Sequence, residues 1–402
     1  MSDPAKEVRR LPPCPAYDVE GMESWLTDLA REEGLLLVQD GIFAGVATFE
    51  KGEPRQVKYR LEAAPKPTSF LADNGGGPDP EAVELNREFH WDYVGQRGDF
   101  YIYRTDDPAA RELNTDPEVQ ALAINAVKKR QMGNLWLPLY WLFVFPNLFF
   151  RLPAGILHNL IELGTWFCLW GLALALWCII GGVVEVVHLS RLVKKLKSGG
   201  ALERKKPWRD RTVPYQVKNL LLAALCIAWV IVGLNRWAAA EERRRQPSDY
   251  QGTPPFATMA DFGVSDYRTT FRDWDRVQEW SDWLAPCNLE WSEHASVRLE
   301  DGVSRIEGGL DVEYHEMTAP FLAQWMAWEL TPRRSAGPQY AVLELPPLDV
   351  DYAAAYRETS MFHTVVLQKG NIVLKATFYQ TSEHTLELGE WAKILADSLS
   401  EH

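Results

Sequence analysis

The sequence predicts an α+β protein in three parts: an amino-terminal ferredoxin-like two-layer domain, a three-helix transmembrane anchor and a carboxy-terminal α+β domain. Helix-like and strand-like patterns alternate at both ends of the 402-residue chain, while its middle contains long runs without a charged residue. Charge divides the chain at the same places: residues 131–250 have a net charge of +8, residues 1–130 of −8 and residues 251–402 of −13. Two acidic ends argue against nucleic acid as a direct partner.

Residues 1–130 are predicted to form the amino-terminal domain. Apolar residues recur every three or four positions from Asp18 to Glu33, which predicts an amphipathic helix with Asp18 as its cap and Gly34 as its stop. The order of helix, strands, second helix and strand pair favours a ferredoxin-like sandwich. The predicted strands cover 35–38, 43–49, 56–61, 91–95 and 100–104, and the second helix covers about 80–89.

Several runs in this domain resemble an uncharacterised bacterial family, the domain of unknown function numbered twenty-eight-twelve. The runs are Trp25-Leu26 with 33–37 (EGLLL), 49–54 (FEKGEP) with 59–60 (YR), 91–95 (WDYVG), 98–104 (GDFYIYR) and 112–118 (ELNTDPE). The resemblance covers about 7–130 and the anchor, and Leu35 departs from the aromatic residue usual at that place. It implies a membrane-anchored protein of the kind common in Firmicutes, whose genes neighbour PadR-like repressors. It therefore implies a regulatory setting and no activity.

Two long uncharged stretches predict membrane-spanning helices. The 22 residues 163–184 contain no charge and are long enough to cross the hydrocarbon core of a bilayer, roughly 30 Å thick. Residues 213–237 contain only Lys218 and Arg236, near the ends, where long side chains reach the lipid headgroups. The predicted anchor covers 131–240, with these spans at about 163–188 and 214–237. A buried helix of a soluble protein is the alternative interpretation.

A third span is predicted at about 133–150. These 18 residues (GNLWLPLYWLFVFPNLFF) are uncharged, but Pro138, Pro146 and Asn147 interrupt the pattern. Membrane helices tolerate proline where neighbouring groups hydrogen-bond the freed carbonyls. A re-entrant or interfacial segment is the alternative.

Sidedness is predicted from residues 189–213, the loop expected between the second and third spans, which we call the basic segment. Basic residues beside spans are retained in the cytoplasm. The prediction is a multi-pass protein of a bacterial cell membrane with its amino terminus in the cytoplasm and its carboxy terminus outside. Three arginines at 243–245, after the third predicted span, favour the opposite orientation, but they are fewer than the nine basic residues of the segment. The basic residues of the segment are Arg191, Lys194, Lys195, Lys197, Arg204, Lys205, Lys206, Arg209 and Arg211.

A polar linker over 241–255 is predicted to lead to the carboxy-terminal domain, residues 256–402. Helices are expected at 271–284, 319–330 and 386–399, and strands at 310–315 and 340–345. The clearest pattern is a hairpin over 363–379 with a turn at Gln368-Lys369-Gly370-Asn371. About 150 residues are enough for a separate hydrophobic core.

Three polar residues in or beside the spans are functional candidates, because ionisable groups at membrane depth are costly. They are Glu162, Glu185 and His188. The spacing of Glu185 and His188 occurs in di-iron bundles, but the second such pair and the further carboxylates are absent from the spans. We therefore interpret Glu185 and His188 as a polar helix end rather than a metal-binding pair, and likewise His158 and Glu162, which lie one helical turn apart on the outer side. Snorkelling of Glu162 and Glu185 at the helix edges is the alternative to a functional role.

The sequence contains no compact His-Glu-x-x-His motif and no Gly-x-Ser-x-Gly elbow. We therefore expect no catalytic, cofactor-binding or metal-binding residues. The function predicted is a non-enzymatic sensor or regulator that couples an outer domain to a cytoplasmic domain. Its expected partners are membrane lipid, a cytoplasmic regulatory protein, and a small apolar or peptide ligand outside. The alternative is a membrane-bound enzyme or transporter accessory that handles a lipid or an ion.

Overall fold

The structure is a computed structural model that describes residues 7–40, 46–64, 77–113, 116–138, 140, 155–242, 244–262, 275–298, 305–332, 341–357, 362–380 and 388–400. The chain forms two compact units. The amino-terminal unit comprises Met1–Phe143 and Ala173–Ile227, and the carboxy-terminal unit comprises Val144–Leu172 and Ala228–His402. The mixed α+β class predicted from the sequence is confirmed in both units.

The amino-terminal unit contains two three-stranded antiparallel sheets with strand orders β1-β3-β2 and β4-β6-β5. A ferredoxin-like domain has one four-stranded sheet, so that finer prediction is not confirmed among the described strands. The elements are β1 (Glu7–Arg10), α1 (Val19–Glu33), β2 (Leu35–Asp40), β3 (Ala47–Lys51), β4 (Lys58–Ala63), α2 (Pro80–Glu88), β5 (Asp92–Arg97), β6 (Phe100–Thr105) and α3 (Pro117–Asn134).

Helix α1 begins and ends where the sequence predicts. The side chain of Asp18 accepts a hydrogen bond from the backbone N–H of Gly21 at 3.2 Å and so caps the helix. Gly34 ends it in the left-handed conformation, with φ at +67°. Residues 19–26 of α1 are all buried, and the ring of Trp25 packs edge-on against Phe49 with 5.5 Å between centroids. Local capping and apolar periodicity therefore agree with the tertiary packing of this helix.

Two helices are long and apolar enough to cross a membrane: α5 (Thr165–Lys197) and α6 (Arg209–Glu242). They coincide with the second and third predicted spans. Most of the first predicted span, 133–150, lies outside the described residues. The basic segment differs from the predicted loop, because α5 continues to Lys197 and α6 starts at Arg209. Only 198–208 connects the helices, so most of the nine basic side chains lie on helix ends.

The carboxy-terminal unit is built on a seven-stranded antiparallel sheet of order β10-β11-β12-β13-β9-β8-β7. The predicted hairpin over 363–379 is confirmed as β12 and β13. The elements of the carboxy-terminal unit are α4 (Ile156–Leu163), β7 (Arg276–Trp280), β8 (Cys287–Arg298), β9 (Arg305–Glu316), α7 (Pro320–Leu330), β10 (Ala341–Leu343), β11 (Tyr352–Arg357), β12 (Phe362–Lys369), β13 (Ile372–Gln380) and α8 (Leu388–Ser398), with 3-10 turns at Pro247–Asp249 and Met259–Phe262.

The prediction of a helix over 271–284 is wrong for the residues that the structure describes, because Arg276–Trp280 forms strand β7. Val277 lies opposite Trp291 of β8, and its side chain is buried in the sheet core. The strand also receives Arg245, whose backbone pairs with that of Val277. Strand pairing here prevails over an apolar spacing that also fits a helix.

The sheet carries helices on both faces. Helix α8 covers one face, where Trp391 and Leu395 join a core of alternate strand residues such as Val312 and Leu374. Helices α4 and α7 cover the other face, where Leu157 of α4 and Met326 of α7 pack in one cluster. The helix directly before the span-length helix α5 therefore completes the core of the carboxy-terminal unit.

Candidate metal centre

Three neighbouring strands place polar side chains together on the sheet face that α4 covers. Residues two apart on a strand point to the same face, so Glu313 and His315 of β9 lie side by side. Glu313 is paired across the sheet with Glu290 of β8 and with Lys375 of β13. His315 is paired with Asn288 of β8. The antiparallel register therefore gathers carboxylate, imidazole, amide and ammonium groups under one helix.

Helix α4 brings a second histidine onto this face. Leu157 and Ile161 are fully buried, and this fixes the rotation of the helix over the sheet. His158 Nε2 then lies 3.7 Å from Glu313 Oε2 and 3.9 Å from Glu162 Oε1. The imidazole rings of His158 and His315 are perpendicular, with 5.8 Å between centroids.

The tautomer of His315 follows from its neighbours. The side-chain amide of Asn288 donates to the carbonyl oxygens of Ala285 at 2.8 Å and Trp280 at 3.2 Å, so its Oδ1 is left as an acceptor. That oxygen lies 2.7 Å from Nδ1 of His315, which must therefore carry the proton. Nε2 of His315 is then an unprotonated lone pair, and it is buried without a hydrogen-bond partner among the described residues.

His158, Glu313 and His315 form the one group of three metal-ligating side chains found among the described residues. Each offers one ligand atom, and these atoms lie within 4.8 Å of one another. In a tetrahedral site with Zn–N distances of 2.0–2.1 Å, ligand atoms are roughly 3.4 Å apart. The 3.7 Å gap between His158 and Glu313 is close to this separation. Small side-chain rotations would therefore close the site around an ion.

The unsatisfied atoms of the group fit the same interpretation. Glu313 Oε1 accepts from the ammonium of Lys375 at 2.7 Å, while Glu313 Oε2 is buried without a hydrogen-bond partner in the described part of the chain. A buried polar atom without a partner costs about 1–3 kcal/mol. A cation bound through Oε2 of Glu313 and Nε2 of His315 would satisfy both of these atoms. Nδ1 of His158 is also buried without a hydrogen-bond partner among the described residues, but Nε2 is the nitrogen that faces Glu313, so an ion bound there would leave Nδ1 unsatisfied.

The electrostatics favour neutral imidazole at one histidine and a charged carboxylate between them. Burial, with the nearby His158 and Lys375, lowers the pKa of His315 to about 3. Burial also lowers the pKa of His158, but the carboxylates of Glu313 and Glu162 outweigh it and raise that pKa above its ordinary value. Burial opposes ionisation of Glu313, yet His158 and Lys375 hold its pKa well below the usual range. Neutral imidazole and ionised carboxylate are the forms that bind metals.

Two further carboxyl groups border the centre. Burial raises the pKa of Glu162, and the charge of Glu313 adds to the effect. Burial likewise raises the pKa of Glu290, with Glu162 and Glu313 contributing. Glu162, Glu290 and Glu313 thus lie near one another, with the cationic side chains of Lys375 and Arg276 beside them, and a bound cation would favour the ionised form of Glu162 and Glu290.

The sequence candidates lie in different places. Glu162 borders the metal-ligating group, whereas Glu185 and His188 lie on α5 in the amino-terminal unit, where the ring of His188 is 5.4 Å from that of Tyr17. Sequence reasoning noted His158 only for its spacing from Glu162. Glu313 and His315 could have been paired from the alternation of β9, but no local signal connects them to His158.

The basic segment binds the acidic face of α1 within the amino-terminal unit. Lys206 Nζ lies 2.6 Å from Asp18 Oδ1, and Lys195 Nζ lies 2.8 Å from Glu20 Oε1. Other contacts join Arg204 to Glu23, Arg209 to Glu32, Arg211 to Asp18, and the indole N–H of Trp208 to Asp28.

These contacts are partly buried. Lys206, Asp18 and Glu20 each have less than 15% of the side chain exposed. The backbone N–H groups of Glu203 and Lys206 also donate to Glu20 and Ser24, at 2.7 and 2.9 Å. The residues that predict sidedness therefore also hold the amino-terminal domain to the ends of α5 and α6.

A groove of about 490 Å³ runs along residues 173–184 of α5, and Tyr17 and, from α6, Lys218 also line it. Aliphatic and aromatic side chains line it, with Lys218 as its charged residue. The lining residues are Tyr17, Ala173, Leu176, Trp177, Ile180, Gly181, Val184 and Lys218, so Glu185 and His188 are not among those described for it.

The fold and the centre define an α+β protein with two span-length helices and a candidate two-histidine, one-carboxylate metal centre. No protein-family model, curated protein or solved structure matches the chain.

Proposed function

We propose that the chain is a membrane-anchored regulatory protein whose outer domain binds a divalent transition-metal ion, with Zn²⁺ as the best fit. The observation that carries this proposal is Nε2 of His315, which is buried, unprotonated and without a hydrogen-bond partner in the described ranges. Two imidazoles and one carboxylate are ligands that zinc prefers, whereas Mg²⁺ and Ca²⁺ prefer all-oxygen sites. The hydrogen bond from His315 to Asn288 is the outer-shell contact typical of metal-ligating histidines.

The proposed sidedness is supported by contacts within each unit. The ion pairs of the basic segment with α1 favour one aqueous side for both, and positive charge favours the cytoplasm. The shared core of α4, α7 and the sheet favours one side for those elements, which we assign to the outside. This arrangement needs three crossings, of which α5 and α6 would supply two. The predicted span at 133–150 would supply the third.

A regulatory role is supported by where the ligands come from. His158 lies on α4, which a single residue, Gly164, separates from α5. Glu313 and His315 lie on the sheet. A bound ion would join α4 to the sheet and so stabilise the contact between them. Because α4 leads directly into α5, the spans could transmit this change to a regulatory partner in the cytoplasm.

Metal binding is tested by isothermal titration of the detergent-solubilised full chain with Zn²⁺ after treatment with a chelator. We expect one site, loss of at least about 100-fold in affinity in His315→Ala and His158→Ala, and no competition from Mg²⁺. His363→Ala is the matched control, since His363 lies on β12 outside the group. Equal affinity in the His315 and His363 variants would overturn the proposal.

The membrane anchor is tested separately. Membranes from cells that express the full chain are washed with alkaline carbonate, which strips peripheral proteins. Retention in the pellet is expected, because spanning helices are released only by detergent. Appearance of the chain in the wash would refute the anchor and leave the metal site to be judged on its own titration.

An enzymatic function is the second candidate, and Glu162 is the observation that favours it. Its carboxylate lies 3.9 Å from His158 beside the three ligands, and its raised pKa suits a general base. A three-ligand zinc ion keeps one position open for water. Zinc-dependent hydrolysis of p-nitrophenyl acetate that is lost in Glu162→Gln, at unchanged zinc affinity, would favour the enzyme over the regulator.

A further inference from the structure

Helix α7 exposes a row of aromatic side chains. Phe321, Trp325 and Trp328 have 68%, 41% and 51% of their surface exposed. The spacing of four and three residues places them on one face of the helix. Gln324 is the other exposed residue on this side, so the face carries no charge. We call these three aromatic residues the aromatic face.

The other face of α7 packs against the interior of the carboxy-terminal unit. Ala323 and Met326 are fully buried with Leu157 and Ile161 of α4. Glu329, the acidic residue of the helix, accepts hydrogen bonds from the backbone N–H groups of Leu157 at 2.9 Å and His158 at 3.1 Å. Helix α7 therefore has a fixed rotation, and the aromatic face is its outward side.

The aromatic face is connected to the start of a proposed span. Asp282 accepts hydrogen bonds from the backbone N–H and the hydroxyl of Thr165, the first residue of α5, at 2.8 and 2.6 Å. Two residues further on, the carbonyl of Leu284 accepts from the backbone N–H of Thr318 at 3.0 Å, just before α7. Residues 282–284 thus join the beginning of α7 to the beginning of α5.

A second aromatic pair lies at this junction. The indole of Trp166, the second residue of α5, stacks on that of Trp283 with 5.4 Å between centroids and 28° between planes. Both indoles are more than half exposed. Tryptophan is enriched at the membrane–water boundary, where its apolar ring and polar N–H meet both environments. Trp166 and Trp283 therefore indicate the depth at which α5 enters the bilayer.

We propose that the aromatic face lies in the lipid–water interface of the outer leaflet and holds the carboxy-terminal domain against the membrane surface. The inference rests on the proposed membrane anchor. The occupant we assign is lipid, because residues 282–284 hydrogen-bond both Thr318, just before α7, and Thr165, where α5 would enter the bilayer. The chemistry agrees: large aromatic side chains without charge favour an interfacial helix, which lies roughly 5–10 Å into the headgroup and acyl boundary.

The test uses the full chain in lipid nanodiscs whose phospholipid is either plain or brominated at acyl positions 6 and 7. Bromine quenches indole emission at short range. The emission of Trp325 and Trp328 is obtained as the difference between the wild type and the Trp325→Phe/Trp328→Phe variant, which keeps two aromatic rings on the face. Trp291→Phe is the matched control, because Trp291 is buried against Tyr250 and Phe256.

We expect the brominated lipid to lower the difference emission of Trp325 and Trp328 at least about twofold, and that of Trp291 by much less. Unquenched Trp325 and Trp328 emission in a chain that carbonate washing leaves in the membrane would overturn the lipid occupant and favour a second copy or another protein. Release of the chain by carbonate would instead refute the anchor itself. The two failures are therefore distinguishable.

Discussion

The Nδ1 atom of His315 lies 2.7 Å from the Oδ1 atom of Asn288, and this contact determines which nitrogen of the imidazole can bind a ligand. Asn288 is fully buried and its amide group is itself held by two backbone carbonyls. The orientation of the histidine ring is therefore set by the backbone around β8, before any ion binds. Such preorganisation lowers the cost of metal binding.

Substitution of Asn288 should weaken metal binding without removing a ligand. In Asn288→Ala, Nδ1 of His315 loses its acceptor, so the ring is free to rotate and to change tautomer. We expect zinc affinity to fall by about 10–100-fold in titration calorimetry. In Asn288→Asp, burial favours the protonated carboxyl group, whose O–H can donate to the carbonyl of Ala285 while the other oxygen accepts from Nδ1, so most of the affinity should be retained. Equal losses in the two variants would contradict the role given to this hydrogen bond.

Zinc binding should depend on pH through one histidine only. The pKa of His158 is raised by Glu313 and Glu162 despite burial, so at any pH below that pKa a proton must leave His158 before the ion binds. Below that pKa the apparent affinity should fall by about tenfold per pH unit. His315, whose pKa is lowered to about 3, should release none. Calorimetry in buffers of different ionisation enthalpy measures the protons released, and two per ion would contradict this assignment.

The raised pKa of His158 also makes the stability of the metal-free protein depend on pH. A histidine whose folded pKa is raised stabilises the protein in its protonated form, fully below the unfolded pKa of about 6.5. That contribution is lost as the pH rises through the higher folded pKa. In the presence of a chelator, the thermal midpoint of the wild type should therefore decline over this range more than that of His158→Gln. Parallel profiles would argue against the pairing of His158 with Glu313 and Glu162.

Ion pairs of the basic segment should differ strongly in their contribution to stability. In Lys206→Met, Asp18 and Glu20 lose a buried partner, which costs about 3–5 kcal/mol. In Arg209→Met, an ion pair with Glu32 is lost, but both side chains are more than 40% exposed, so solvent screens the pair and the midpoint should change little. The thermal midpoint of the full chain in detergent measures both. Similar midpoints for the two variants would contradict the burial argument.

Gly34 should tolerate no side chain, whereas Gly98 should tolerate one at moderate cost. Both have positive φ, at +67° and +55°. A methyl group on Gly34 would also overlap the backbone carbonyl of Gly52, while one on Gly98 would meet only Ala16 at 3.3 Å. We expect Gly98→Ala to cost about 1–2 kcal/mol and Gly34→Ala clearly more. Thermal unfolding compares the variants, and equal midpoints would be inconsistent with the overlap.

Elements whose signals are local could be predicted from the sequence. Helix α1 has its cap, its periodicity and its glycine stop within seventeen residues, and all three are in place in the structure. The β12–β13 hairpin has its turn between its strands. Strand β7 could not be predicted in this way, because its apolar spacing fits a helix and pairing with β8 decides its conformation.

The candidate metal centre depends on contacts between distant parts of the chain. The alternation of Glu313 and His315 is readable once β9 is assigned as a strand. His158 joins them only because Leu157 and Ile161 pack α4 onto the same face of the sheet. The charges of the basic segment were likewise readable, but their partners on α1 were not. Spacing along one sequence contains no information on such distant pairs.

The packing of α4 under the sheet affects how the molecule can be built and divided. Helix α4 leaves the ribosome long before strands β8 to β13, so its apolar side chains cannot be buried in the sheet until those later strands have been synthesised. A gene fragment that starts at residue 256 would encode the whole sheet but lack Leu157 and Ile161, whose burial contributes about 1.5–3 kcal/mol each. The sheet is therefore not an independent unit that recombination could transfer without helix α4.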